Sequence, residues 1–140
     1  MLLSIIVTKQ MSEKIKDTLE SGEDIVFKHI GKLDSGSVKD VFYSASRISS
    51  DFMIVDIDVF PEREIVYALQ SFRISRPNTS VIIIAPERKP GDEIIYIVGL
   101  GIYDIAAEEK DADWNGIIND VLLSTPATYS QVARSTRSSL

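Results

Sequence analysis

Short, near-continuous apolar runs, each followed by a stretch with helical period, constrain this chain more than any other feature. Leu2-Leu-Ser-Ile-Ile-Val-Thr8 is the first such run. Successive rather than alternate apolar residues read as a strand buried on both faces. Met11, Ile15 and Leu19 then recur every fourth residue, and Gly22 supplies a stop, which predicts one helix. Ile25 to Ile30 is a second strand. Asp34 and Ser35 offer caps for a helix with Val38, Val41, Phe42 and Ala45 on one face. Phe52-Met-Ile-Val-Asp-Ile-Asp58 is the strongest strand. Pro61 suits a first helical turn, and Ile65, Ala68, Leu69 and Phe72 form the stripe behind it. Arg76-Pro77-Asn78 breaks that helix before a fourth strand, Ser80 to Ala85. Pro90-Gly91-Asp92 opens a helix running to about Leu100, Tyr103 to Ala107 is a fifth strand, and Asp113 caps a last helix carrying Trp114, Ile117, Ile118, Val121 and Leu122. Strand and helix thus alternate, which demands right-handed crossovers and a parallel sheet covered on both faces.

At 140 residues, 44% hydrophobic and 26% charged, the chain suits one packed core, since single domains hold about 100–200 residues. Residues 1–124 are expected to form that domain. From Thr125 to Leu140 the chain turns to Ser, Thr, Ala, Gln and Arg without apolar period, and is expected to be a linker or tail. A net charge of −6 argues against a nucleic-acid or anionic-membrane partner, which needs clustered Lys and Arg. Cysteine is absent, so disulfides and thiolate metal sites are excluded, and His29 is the one histidine, so His-based metal cages are excluded too. No metal and no cofactor is expected. Leu2 to Val7 is shorter than a signal or membrane segment, and a cytoplasmic protein is expected.

In open parallel sheets, ligands and chemistry gather beyond the carboxyl ends of the strands. Here those ends carry Thr8-Lys9, Asp56-Ile57-Asp58, Ala85-Pro86 and Ala106-Ala107. An aspartate closing a hydrophobic third strand, a proline shortly after it, the Arg76-Pro77-Asn78 turn and the Gly101-Ile-Tyr-Asp104 stretch together resemble a response-regulator receiver over roughly Leu2 to Ser124. The resemblance implies a three-layer, doubly wound, flavodoxin-like sheet with strand order 2-1-3-4-5. It also implies a site: a phosphoacceptor carboxylate at Asp56, with Asp58 as the alternative because Pro61 lies one residue further along than the family's pattern places it. The remaining parts of that site are departures. Val7-Thr8-Lys9 stands where the family has its Mg²⁺-holding acids, Ala85 replaces the hydroxyl, and Ala106 and Ala107 replace the lysine. A site without these groups lacks the charge that stabilises a transferring phosphoryl. Asp56 is therefore expected to be a structural carboxylate. It either caps the following helix or pairs with Lys9, the ammonium standing where the metal would sit, and Asp58 shares that lysine if the strand persists.

The fourth helix has more apolar residues than one inward stripe can use. With Ile94, Ile97 and Val98 inward, Ile95, Tyr96 and Leu100 are left outside. The receiver resemblance points to the same region, because receivers dimerise through the fourth helix, fifth strand and fifth helix; Ile94, Ile95, Tyr96, Leu100 and Tyr103 are the expected interaction surface. His29 is expected near a strand end facing solvent, and Trp114 in the core. Neither GxxxxGK(S/T) nor GxGxxG occurs. The expected function is a non-enzymatic pseudo-receiver, a protein-interaction or homodimerisation module. Degenerate receivers of this kind resemble the amino-terminal segments of some ParA/MinD-like ATPases that position pili or partition mobile DNA, which implies a C-terminal ATPase or output domain as partner. The alternative is a genuine receiver phosphorylated at Asp56 by a histidine kinase.

Overall fold

The computed structural model describes residues 1–20, 24–61, 64–87, 101 and 104–124. Strands β1 (Leu2–Val7), β2 (Asp24–Ile30), β3 (Phe52–Asp56), β4 (Ser80–Ile84) and β5 (Asp104–Ala106) form one sheet in the order β2-β1-β3-β4-β5. Every neighbouring pair is parallel. The described helices are α1 (Lys9–Lys14), α2 (Lys16–Glu20), α3 (Val38–Ser46), α4 (Glu64–Ser75) and α5 (Trp114–Leu122). The parallel strands are those that the alternation of runs predicts, and the doubly wound, flavodoxin-like order is the one that the receiver resemblance implies.

The unbroken apolar runs follow from burial on both faces, with successive side chains serving different cores. Ile6, Met53, Val55, Val81 and Ile83 pack under α3 and α4 against Phe42, Leu69 and Phe72. Leu3, Ile5, Ile54, Ile82 and Ile84 face the other way, against Met11, Ile15, Trp114 and Ile118. Trp114 is thus core, as its stripe predicts, and Asp113 does cap α5, its side chain accepting from the Gly116 amide. β2 is the edge strand, half-buried and studded with Asp24 and Lys28, which blunts pairing with another chain. Its register slips at Leu3/Ser4, where Val26 is bulged out of the ladder. Gly31 ends β2 at φ +122°, a conformation that side chains with a Cβ rarely adopt, and its amide extends the ladder onto Val7 O.

Three expectations about local structure are corrected. The third strand stops at Asp56, not Asp58, and Ile57–Val59 is a 3-10 turn. The single first helix is broken at Ile15 into α1 and α2. Asn115 holds that break: its Nδ2 donates to Lys14 O at 3.0 Å, and its Oδ1 accepts from the Thr18 amide and hydroxyl. His29 is half-buried rather than solvent-facing, its Nε2 lying 3.0 Å from Gly31 O. At the amino ends of the strands, Asp51 Oδ2 accepts from the Leu2 amide, and Ser50 is joined to Ser4 and Thr79 by buried hydroxyl bonds. Among the described residues, no helix is long and apolar enough to cross a membrane.

Candidate functional site

β3 lies between β1 and β4, so the residue that closes it emerges at the centre of the sheet's carboxyl edge. That residue is Asp56, 1% exposed. Its Oδ2 accepts from the Thr8 hydroxyl at 2.8 Å and from the Thr8 amide at 3.1 Å. Its Oδ1 accepts from the Asp58 amide at 3.0 Å, which turns the chain out of β3 and caps the 3-10 turn. Thr8 is fixed in turn as the N-cap of α1, its Oγ1 accepting from the Met11 amide at 3.1 Å. The hydroxyl therefore donates to the carboxylate and accepts from the helix in one relay. Asp56 ties the end of β1, the start of α1 and the exit of β3 into a single knot.

Burial raises the proton affinity of Asp56 above the ordinary carboxylate value of 3.8. The hydrogen bonds from Thr8 and from the Asp58 amide pull the other way, and the Asp58 charge adds a small further rise.

Lys9, expected as the counter-ion of Asp56, takes no part in this knot. Its side chain is exposed on the first turn of α1, and the preceding residue supplies the contacts instead. Asp58 leaves the strand with the 3-10 turn, so the continuing strand on which the shared-lysine expectation depended is absent. Ala85 is fully buried, and its amide donates to Ala106 O, so the position offers a methyl group where a hydroxyl would be needed. Ala106 and Ala107 are buried beside it. Beyond them the two loops continue to pair: the Glu87 amide donates to Glu108 O at 2.9 Å, with Glu87 at φ 58°. Among the described residues, no group of three His, Cys, Asp or Glu side chains could hold a metal ion.

Ile94, Ile95, Tyr96, Leu100 and Tyr103, the expected interaction surface, lie outside the described residues, as does the tail from Thr125. Two features escaped sequence reasoning. Thr8 was visible only as a residue between a strand and a helix. The other is a groove between α3 and α4, over a floor that includes Phe42 and Phe72 and beneath the exposed rings of Tyr43 and Tyr67. Its one signal in the sequence is that both tyrosines fall off the apolar stripes of their helices.

Comparison of the chain with protein-family models, with curated proteins and with solved structures finds no match in any of the three.

Proposed function

We propose that this chain is a pseudo-receiver: a cytoplasmic, non-enzymatic module that acts through protein interaction or self-association in signalling, or in the localisation of a ParA/MinD-like ATPase. The observation that carries the reading is the state of Asp56. A phosphoacceptor must present a free carboxylate oxygen to phosphorus beside a bound divalent cation. Here both oxygens accept hydrogen bonds from within the fold, and the neighbouring positions are Thr8, Ala85 and Ala107. A carboxylate so used supports a scaffold better than a switch. Protein interaction is the use of this fold that needs none of the missing chemistry. The surplus apolar residues Ile95, Tyr96 and Leu100 are its surface in this reading, with a C-terminal ATPase or output domain as one partner.

The test adds acetyl phosphate or beryllofluoride with Mg²⁺ to the labelled protein and follows its amide spectrum. The pseudo-receiver reading expects the Asp56, Thr8 and Ala85 amides to stay put. Saturable shifts centred on Asp56 would sink it and favour a phosphoacceptor served by a histidine kinase. The interaction itself is tested by sedimentation: replacing Ile95 and Tyr96 with charged residues should lower the mass of an oligomer. Monomers in both proteins would retire self-association through that helix.

A further inference from the structure

We propose that the groove between α3 and α4 is a binding site for a small zwitterionic amphiphile, of the class of an aromatic amino acid or a dipeptide ending in one. It is separate from Asp56 and does not rest on the pseudo-receiver reading. The two helices are pinned together where Arg76 Nε donates to Ser46 O at 2.7 Å, and in the floor where the Phe42 and Phe72 rings meet edge-on at 6.2 Å. Between these contacts a cavity of about 590 Å³ stays open. That lies within the range of about 300–1,000 Å³ typical of small-molecule sites.

Its lining has a direction. Val38, Phe42, Ala68 and Phe72 give an apolar floor, and Tyr43 and Tyr67 rise above it, 65% and 72% exposed. Each helix then contributes one charge about a turn before its tyrosine, Lys39 on α3 and Glu64 on α4. Residues three or four apart share a helix face, so each charge stands beside its ring. Both helices follow strands of a parallel sheet, so both charges lie toward the carboxyl edge and the aromatic rings toward the middle. Glu64 Oε2 is shielded from solvent and has no hydrogen-bond partner among the described residues. Such an acceptor is rare and unfavourable unless a ligand supplies a donor. Lys39 is exposed at the other wall of the groove.

These features select the ligand. An ammonium donates to Glu64, a carboxylate accepts from Lys39, and a flat apolar group enters between the tyrosines and the floor. Among the described lining residues, one cation is too few for a nucleotide's phosphates, and one carboxylate is too few for a divalent metal.

The test uses L-phenylalanine and the dipeptide phenylalanyl-phenylalanine, each free, N-acetylated, C-amidated or blocked at both ends. Each is titrated into the labelled full chain while amide spectra are recorded. A free probe should give saturable shifts confined to Val38–Ser46 and Glu64–Ser75. Blocking either charge should weaken binding by about tenfold or more, the loss of one charge-assisted hydrogen bond. Glu64→Gln should weaken the free probes but leave the N-acetylated forms unchanged, a selectivity that a folding defect would not give. The proposal is overturned if no probe gives saturable shifts there, if doubly blocked probes bind as tightly as free ones, or if Glu64→Gln binds every probe like the parent.

Discussion

At Asp56 burial and hydrogen bonding act on the same carboxyl in opposite directions, and burial prevails. The folded state therefore holds a proton that the unfolded chain has already released, over the interval between the ordinary value of 3.8 and the raised one. Stability contributed by this group is present below that interval and is lost as pH rises through the folded value. Asp56→Asn removes the titration. The stability of the parent relative to the variant, measured by urea unfolding at a series of pH values from 3 upward, is expected to fall with rising pH and then level off. A rise would overturn the sign. Thr8 is the complementary probe. Thr8→Val keeps the shape but deletes the hydroxyl that donates to Asp56 and caps α1. It should cost about 1–3 kcal/mol and push the Asp56 carboxyl higher still, read from its side-chain carbon shift against pH. Thr8→Ser should restore most of both. The capping part of Asp56's role was legible beforehand, but its tie to Thr8 was not, because those partners are 48 residues apart in the chain. Lys9 drew attention instead through its charge, although a long exposed side chain loses little by staying in water.

Elements were legible where one physical cause dominated. Burial on both faces leaves an unbroken apolar run, and β1, β3 and β4 were recognisable from it. Their ends were less so. Ile57-Asp58-Val59 continues the strand-like pattern of β3, but the Asp56 side chain captures the Asp58 amide and bends the backbone into a 3-10 turn. The first helix shows the same limit. Met11, Ile15 and Leu19 keep a helical period across a break that only a residue on another helix explains. Asn115 is that residue, and Asn115→Ala removes its bonds to the Lys14 carbonyl and to the Thr18 amide and hydroxyl. A loss of about 1–3 kcal/mol is expected, together with faster hydrogen exchange at the Thr18 amide than at amides of β3. Equal acceleration everywhere would mean that the clamp is not local. The α3–α4 groove was beyond the sequence for a different reason: it depends on the spacing between two helices, and periodicity fixes only which face of each is apolar.

Across the whole molecule, the two cores share one sheet and are expected to melt together. Trp114, the chain's one tryptophan, is 1% exposed in the α1–α5 core and reports on that side alone. Phe42 and Phe72 belong to the opposite core. If the domain is cooperative, the red shift of Trp114 emission and the loss of helical circular dichroism should share one urea midpoint. Separate midpoints would show that one face can open while the other holds. The parallel sheet was the most legible property of all, because alternating strands and helices leave few permitted windings, while the strand order came from the receiver resemblance.

That winding also fixes where the molecule can be held. All five strands run the same way, so Leu2 enters at the pole opposite Asp56. Helix α5 runs back against them and delivers Leu123 to that same pole. A tether at either of these two positions would act as a stalk. The Asp56 knot would face outward like the head of a pin, with the Lys39–Glu64 mouth of the groove turned toward the same hemisphere.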